Sequence, residues 1–405
     1  MSRFSSATAR PLAEDAVIIG GSVAGLAIAA VLAQHVERVT ILERDALGDP
    51  ASFRPGVPQA RHAHTLLPEG QAILEQLFPG LVAELVEAGA VPVEPTTEMA
   101  MLIDGVWRAP KNREAGRRVT FGRPLFEALL RGRLAAHPNV VFLSSQDVVG
   151  LRVDAARERV SGVRLRRRGA LGDGVEEFPA QLVVDASGRG SQAPRWLTDL
   201  GYLSPRETVS MTHVAYATRL YRKPAGFDEH WKILYVRPRP PADRRGGLIL
   251  PIEGGRWLVT LIGAQRDYPP TDLEGFEAFA RSLPSPRFFE TMQAAEPLDE
   301  PFGFQMTESR LRHFDRLARR PEGFLVAGDA VMTLNPVYAL GMTAAATGGL
   351  VLADCLAQRR AAAEPLAGLA EAFQSGLAAA TGRWWAKVTT EDLRWPMTEM
   401  VEDDA

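Results

Sequence analysis

The sequence predicts an α/β fold in which a parallel-sheet domain is interrupted by an antiparallel sheet and followed by C-terminal helices. A β-branched run at 17–19, a glycine turn, an Ala- and Leu-rich run at 23–34 and an apolar run at 38–42 have the lengths of one β-α-β unit. From about residue 209 the chain changes to apolar segments separated by turn residues, without helical periodicity. A further buried-type strand at 323–326 and Ala-rich helical runs then restore the first pattern.

The other elements follow from the same criteria. Pro124 stands in the first turn of its predicted helix, where proline is tolerated, and Asp104-Gly105 marks the turn of a strand pair. The loop 169–174 is predicted as a flexible hairpin tip. The predicted helices are 68–78, 123–136, 273–283, 287–296, 341–357 and 366–385. The predicted strands are the pair within 99–107, then 140–143, 147–153, 159–167, 177–184, 208–222, 230–238, 246–255 and 256–264.

This interleaving predicts a discontinuous first domain. We expect a Rossmann-like dinucleotide-binding domain, an inserted antiparallel-sheet substrate domain of α+β type, and a C-terminal helical segment. The predicted boundaries are 12–98 plus 118–205 plus 310–360 for the first domain, 99–117 plus 206–309 for the second, and 361–405 for the C-terminal segment.

Composition excludes several classes of protein. The 405 residues carry a formal net charge of −3, so no positive field favours nucleic acid. One cysteine, Cys355, excludes a disulfide framework and a Cys-rich metal site. The uncharged stretch 16–33 follows Glu14 and Asp15 and contains a glycine turn, which favours a buried strand–turn–helix over a membrane span or signal peptide. We expect a cytoplasmic protein with no stable membrane insertion.

The turn at 20–25 reads G-G-S-V-A-G and resembles the dinucleotide fingerprint G-x-G-x-x-G. Ser22 stands where the fingerprint has its second glycine, and Glu43 ends the next strand, where an acid suits the ribose hydroxyls. A helix N-terminus at this turn would hold a pyrophosphate. A tight turn in an ordinary β-α-β unit is the alternative. The predicted cofactor-binding residues here are Gly20, Ser22, Val23, Ala24, Gly25 and Glu43.

A second motif favours FAD over NAD. Gly328-Asp329-Ala330 follows a buried-type strand, and Gly341 opens a long Ala-rich helix. In this arrangement the carboxylate of Asp329 accepts hydrogen bonds from ribityl hydroxyls, and the helix N-terminus points at the flavin ring. An aspartate that only caps a helix at a strand end is the alternative.

Together these motifs resemble the aromatic-hydroxylase-like (group A type) FAD-dependent monooxygenases, and among them most closely the bacterial polyketide and terpenoid epoxidases. The matching segments extend over nearly the whole chain in the order of that family. They are VIIGGSVAGL (17–26), ILERD (41–45), GVPQARHAHTLLPEG (56–70), RPLFEALLRGRL (123–134), VVDASGRGSQAPRWL (183–197), PEGFLVAGDAV (321–331), NPVYALGM (335–342) and EDLRWP (391–396).

The resemblance implies further cofactor contacts. It places Arg44 near the adenine, Arg123 near the phosphates or ribityl chain, and Arg61 near the flavin. It also implies Val148 as a cofactor contact, Gly341 and Met342 at the pyrimidine edge of the ring, and Pro336 and Tyr338 as flavin-adjacent catalytic candidates. Similar epoxidases usually read Gly-Gln where this chain has Ala339-Leu340. An alanine there is costly if the position needs a positive φ, and leucine removes a polar side chain beside the flavin.

The implied reaction is epoxidation or hydroxylation. NADPH or NADH reduces the flavin, and molecular oxygen then gives a flavin C4a-hydroperoxide that transfers one oxygen atom. No second G-x-G-x-x-G follows a strand, so a separate nicotinamide domain is not expected, and an external flavin reductase is an alternative electron source. A non-redox cyclase or isomerase that retains FAD, and a flavin-dependent reductase of the same fold, remain alternatives. The Trp-x-Trp-x-x-Pro element of flavin halogenases is not present in the sequence.

Alternation along the inserted sheet suggests its pocket-lining residues. The candidates for substrate contact are His213, Tyr216, Tyr235 and Phe304, and a one-residue slip would exchange the faces. Their apolar character favours a hydrophobic small-molecule substrate. His62 and His64 lack a third ligand nearby, so no metal site is predicted, and they suit a position beside the flavin.

Overall fold

The computed structural model describes residues 11–49, 52–111, 116–169, 174–360 and 366–403. Its strands are β1 (Ala13–Ile19), β2 (Val36–Glu43), β3 (Thr65–Leu66), β4 (Val91–Val93), β5 (Met99–Ile103), β6 (Val106–Arg108), β7 (Arg118–Thr120), β8 (Val140–Ser144), β9 (Gln146–Val153), β10 (Val160–Arg167), β11 (Glu176–Pro179), β12 (Leu182–Asp185), β13 (Glu207–Arg222), β14 (Ile233–Val236), β15 (Arg245–Ile252), β16 (Arg256–Gly263), β17 (Glu296–Pro297), β18 (Phe302–Arg312), β19 (Phe324–Val326), β20 (Met332–Thr333) and β21 (Glu399–Glu402). Its α-helices are α1 (Val23–Leu32), α2 (Pro68–Leu77), α3 (Leu81–Glu87), α4 (Pro95–Glu98), α5 (Arg123–Ala135), α6 (Ala193–Asp199), α7 (Leu273–Arg281), α8 (Pro286–Gln293), α9 (Gly341–Arg359) and α10 (Leu369–Asp392).

A parallel sheet in the order β19-β12-β1-β2-β8 carries the first domain. Its central strand pairs Ile18 with Ile41 on one side and with Val184 on the other. Helix α1 is buried along its whole length, and α9 packs against it. The uncharged stretch 16–33 is therefore apolar because strand and helix both lie inside the protein core.

A ten-stranded sheet forms the second layer, in the order β20-β18-β13-β16-β15-β14-β5-β6, with β17 and β21 also paired to β13. Its neighbours are antiparallel except for the parallel pair β14–β5. One face packs Ala217 and Leu234 against α7 and α8, through residues such as Phe276. The other face carries Tyr216 and is turned to the loop between β20 and α9, as its contact with Val337 shows. The predicted α/β fold with an antiparallel insertion is confirmed.

Three local expectations need correction. The predicted strand 177–184 is two strands, because β11 extends a small antiparallel sheet whereas β12 joins the parallel one. The C-terminal segment, predicted as helical, also contains strand β21, which pairs with Thr208–Met211 of β13. A β-bulge between Met211 and Val214 shifts the alternation of β13, so the faces change within this strand. Most of the hairpin tip predicted at 169–174 lies outside the described residues.

The helices within the described residues are either too short or insufficiently apolar to span a bilayer.

Candidate active site

The turn between β1 and α1 depends on two glycines. Gly20 has φ +104°, and a Cβ there would lie 2.5 Å from the carbonyl oxygen of Ala186. A Cβ on Gly25 would lie 1.9 Å from the carbonyl oxygen of Gly20, so α1 can start this close to the strand only without a side chain. Val23 and Ala24 form the buried first turn of α1. The N-terminus of α1 therefore begins directly at the carboxyl end of the central strand, where a pyrophosphate would bind.

The side chain of Ser22 is engaged by the protein. Its hydroxyl donates to Oε1 of Glu127 at 2.6 Å and accepts from Nη2 of Arg123 at 3.0 Å. Arg123 also donates from Nε to the same carboxylate at 2.9 Å. The serine that replaces a fingerprint glycine thus fixes the first turn of α1 to α5.

A buried network of charges surrounds Glu127. Arg54 forms ion pairs with Glu127 and with Glu43, and its distance to Glu43 is 2.8 Å. Arg131 forms a further ion pair with Glu127 at 3.3 Å. Burial favours a higher pKa for Glu127, but Arg123, Arg54 and the hydrogen bonds outweigh it and lower the pKa to about 2. Glu127 is therefore ionised. Together with Arg123, the network holds three arginines against two carboxylates, so it has an excess positive charge beside the α1 turn.

Glu43 is 5% exposed and bonded to the protein through both oxygens. Gly21 N donates to Oε2 at 2.9 Å, the site that Arg54 also reaches, and Asp45 N donates to Oε1 at 3.0 Å. A carboxylate offers about four lone-pair positions, so one remains on Oε1 for a ribose hydroxyl. Of the other predicted cofactor contacts, Arg44 is exposed and lies beside Gly56, whereas Val148 is partly buried and packs against the main hydrophobic core.

Asp329 follows β19 at the same edge of the parallel sheet. Gly328 has φ +63°, and a Cβ there would lie 2.5 Å from that of Ala24, so this turn packs directly on α1. Among the described residues, no donor is bonded to the Asp329 carboxylate. Burial raises its pKa to about 6, with Arg123 and Arg189 opposing the shift. The charge of Arg123 thus acts on this carboxylate. An acceptor without a donor at this position suits the hydroxyls of a ribityl chain.

The loop from Asn335 to Met342 leads into α9. Pro336–Tyr338 form one 3₁₀ turn, and Ala339 then adopts φ +54° and ψ 29°, the left-handed conformation for which glycine is favoured. Leu340 is buried in the main core. Gly341 begins α9 with open space where a Cβ would be, and Met342 is buried behind it.

Three of the four predicted substrate residues lie together. Tyr216, Tyr235 and Phe304 pack with Val337 of the loop and with Trp395, and we call these five residues the aromatic cluster. The hydroxyl of Tyr216 is buried and has no hydrogen-bond partner among the described residues. His213 is not part of this cluster. It lies in the bulge of β13 with φ +48°, where the charges of Arg266 and Glu399 act on it.

His62 contacts the aromatic cluster, although the sequence only suggested a place beside the flavin. Its ring centre lies 5.4 Å from that of Phe304 and 6.1 Å from that of Tyr216. Nδ1 lies 2.7 Å from the hydroxyl of Thr218, which lies 2.7 Å from that of Thr260. Nε2 is buried, and none of the residues that the structure describes is bonded to it. Burial, with the charge of Arg61, lowers the pKa of His62 to about 4, so the imidazole is neutral at pH 7.

Arg61 lies at a cavity between α5 and the ten-stranded sheet. Its guanidinium lies 4.4 Å from the ring centre of Phe53 and 4.8 Å from that of Phe302, and both phenylalanines are partly exposed. The cavity has a volume of about 280 Å³ and is mostly apolar. Thr218 lines it and also hydrogen-bonds His62, so the cavity adjoins the His62 ring.

These groups fit FAD. The glycine turn leaves room that a Cβ would fill, the charge network supplies excess positive charge, and Asp329 is a partly buried acceptor with no donor among the described residues. Within the described ranges no three His, Cys, Asp or Glu side chains gather as metal ligands. The fold and this set of groups define an FAD-dependent oxidoreductase.

The family follows from comparison with known proteins. Residues 13–366 match the family model described as "FAD binding domain", and the chain belongs to this family. The protein Rv3254 of Mycobacterium tuberculosis is 34% identical over 336 residues, which are 82% of this chain and 70% of that protein. This membership confirms the expectation that the chain is an FAD-binding flavoprotein.

Solved structures share the fold at low identity. The flavin-dependent halogenase CmlS is 20% identical with a TM-score of 0.65, and the match covers 91% of this chain but 62% of the halogenase. PqsL of Pseudomonas aeruginosa, a probable FAD-dependent monooxygenase, is 20% identical with a TM-score of 0.64 over 94% of this chain and 98% of its own. The p-nitrophenol 4-monooxygenase PnpA of Pseudomonas putida is 16% identical with a TM-score of 0.62 over 94% and 88%.

Proposed function

We propose that this flavoprotein inserts one oxygen atom from molecular oxygen into a hydrophobic small molecule, by epoxidation or hydroxylation, with NADPH or NADH as reductant. The observation that carries this proposal is the position of Val337. This residue belongs to the aromatic cluster under the ten-stranded sheet and also to the loop that leads into α9. A substrate held in the cluster would therefore lie against the loop proposed to contact the flavin.

The protein groups have separable tasks in this proposal. FAD, when bound, supplies the redox chemistry and the activation of oxygen. The α1 turn and Arg123 hold its phosphates, and Asp329 orients the ribityl chain. Tyr216, Tyr235 and Phe304 exclude water and orient an apolar substrate. Neutral His62 offers an uncharged hydrogen-bonding atom, Nε2, whose protonation is set by the Thr218–Thr260 pair on the other side of the ring.

A non-redox reaction is the second candidate, because the loop lacks a polar side chain at Leu340. The buried position of Leu340 leaves no group there to contact an oxygen species. A reductase of the same fold would use the same groups without oxygen. The halogenase among the structural neighbours is similar in fold only, and this chain lacks the Trp-x-Trp-x-x-Pro element.

A visible spectrum of the purified protein, with FAD added and then anaerobic NADPH or NADH, tests the proposal. Bleaching by the nicotinamide, and oxygen consumption that rises with an apolar aromatic or polyene probe, are expected. A flavin that the nicotinamide cannot bleach, but that dithionite bleaches and oxygen reoxidises, indicates an external reductase. Conversion of a probe without any reductant or oxygen would replace the monooxygenase proposal by the non-redox one.

We also propose a cytoplasmic location for this enzyme, because a supply of reduced nicotinamide is available there. Fractionation of cells that express the full chain, with FAD fluorescence as a marker, tests this location.

A further inference from the structure

A buried carboxylate connects the last long helix to the loop before α9. Asp392, the final residue of α10, is 0% exposed. Its Oδ1 accepts from the amide Nδ2 of Asn335 at 2.8 Å and from the hydroxyl of Tyr338 at 3.0 Å, whereas Oδ2 has no partner among the described residues. A buried charged acceptor with two side-chain donors is a strong local constraint.

The two donors lie at the start and the end of the turn that precedes the strained residue. Asn335 is further fixed by its backbone N–H, which donates to Ser309 Oγ at 2.9 Å, and its side-chain oxygen accepts from Val337 N at 3.2 Å. Ala339 follows Tyr338 directly and has φ +54°. A left-handed alanine costs about 1–2 kcal/mol, and such strain persists only where the surrounding structure imposes it.

We propose that Asp392 is a positioning residue for the flavin: by holding Asn335 and Tyr338 it keeps Ala339 in the left-handed conformation and so sets the start of α9. It acts through the loop and not through contact with the reacting atoms. This inference rests on the proposed placement of the flavin ring at the start of α9.

The charges around the carboxylate are consistent with an acceptor role. Burial raises the pKa of Asp392 to about 6, opposed by the bonds from Asn335 and Tyr338, so the acceptor is ionised at pH 8. Burial and the negative charge of Asp392 raise the pKa of Tyr338, which keeps its hydroxyl protonated and able to donate.

Asp392→Ala, Asp392→Asn and Tyr338→Phe test the proposal, with FAD affinity and the shape of the bound visible spectrum measured at pH 8. Asp392→Ala is expected to weaken FAD about tenfold, comparable with the loss of one hydrogen bond to a charged group, and to alter the bound spectrum. Asp392→Asn retains an oxygen acceptor and is expected to stay within about threefold of wild type. An Asn variant as weak as the Ala variant would overturn the positioning role.

Leu377→Ala serves as the matched control. Leu377 is buried in the same helix and 3% exposed, but it does not belong to the loop or to the Asp392 contacts. This variant should lower the unfolding temperature while leaving the spectrum of bound FAD unchanged. Equal spectral changes in Leu377→Ala and Asp392→Ala, at temperatures where both are folded, would reduce Asp392 to a general stabilising residue.

Ala339→Gly provides the most specific measurement, because glycine adopts a positive φ without strain. Added to Asp392→Ala, it is expected to recover at least about threefold in FAD affinity, since the loop no longer needs the constraint. In the wild-type background it should change FAD affinity little. No recovery in the double variant would overturn the link between Asp392 and Ala339. Wild-type protein that binds no FAD would instead contradict the function proposed above, so the two failures are distinguishable.

Discussion

The hydroxyl of Ser22 donates to Glu127 at 2.6 Å while it accepts from Arg123 at 3.0 Å. One side chain of the nucleotide-binding turn therefore belongs to the charge network that holds Arg123 in place. A glycine at this position would remove one of these bonds and leave Arg123 its bond to Glu127. Compared with a glycine, the serine therefore leaves less room for a phosphate to approach the backbone, but it fixes the orientation of Arg123.

Ser22→Gly is expected to lower the free energy of unfolding of the FAD-free protein by about 1–2 kcal/mol, because a partly buried hydrogen bond to a carboxylate is lost. Urea unfolding checks the stability, and fluorescence titration checks the accompanying loss of FAD affinity. Ser52→Ala is the control, since Ser52 is exposed and its hydroxyl donates to the backbone carbonyl of Asp49. A Ser22→Gly protein that binds FAD more tightly than wild type would show that backbone access matters more than the position of Arg123.

Gly25→Ala is expected to destabilise the protein by about 3 kcal/mol or more, because its Cβ would lie 1.9 Å from a backbone oxygen. The measurement is thermal unfolding with and without FAD. Gly132→Ala in α5 is the matched control: a Cβ there meets nothing within 4 Å, and the helix should gain up to about 1 kcal/mol. Equal stability of the two variants would disprove the close approach of α1 to β1.

Asp329→Asn is expected to stabilise the FAD-free protein at pH 8. The folded-state pKa of Asp329 is raised from 3.8 to about 6, so its contribution to stability is full below pH 4 and is lost as the pH rises through 6. The free energy of unfolding of the variant should exceed that of wild type by about 2 kcal/mol at pH 8, and the two should be equal at pH 4. FAD should bind it at least about tenfold more weakly, as an ionised acceptor is lost. The exposed Asp228→Asn is the control, in which neither difference should occur.

His62→Gln is expected to change how stability depends on pH. The folded-state pKa of His62 is lowered from 6.5 to about 4, so its neutral form contributes stability that is present above pH 6.5 and lost as the pH falls toward 4. Between pH 7.5 and 4.5, the free energy of unfolding measured with urea should fall by about 3 kcal/mol more in wild type than in the variant. His137→Gln, at an exposed position, should follow wild type throughout. Parallel curves for wild type and His62→Gln would mean that His62 is solvated.

The sequence predicts the turns at the edge of the parallel sheet because their signals are local. Gly20 follows the β-branched run 17–19, Gly25 lies in the first turn region of the next helix, and Asp329 follows the apolar strand 323–326. Buried parallel strands bring such turns to one edge of the sheet. Arg54 was not predicted, since it lies in a proline-rich segment without periodicity and pairs with Glu127, 73 positions away. Only the folded chain brings these two residues together.

The substrate side was harder to predict. His213 and Tyr216 are three positions apart, so strict alternation puts them on opposite faces of the strand, and the bulge between Met211 and Val214 changes the alternation in this stretch. Strand β21 has an exposed, acidic sequence with no apolar alternation, so nothing local indicated a strand. Asp392 lies beyond the predicted helix 366–385, in the matching segment 391–396, and nothing local in the sequence links it to Asn335 and Tyr338.

The pairing of β21 with β13 has a mechanical consequence. Helix α10 packs on α9 beside the parallel sheet, and after six intervening residues the same segment is hydrogen-bonded into the other sheet. Any hinge opening between the two layers must therefore stretch or bend residues 393–398. The C-terminal segment acts as a strap that limits how far the substrate layer can swing, and cutting it before residue 399 would release that swing without removing a proposed FAD contact.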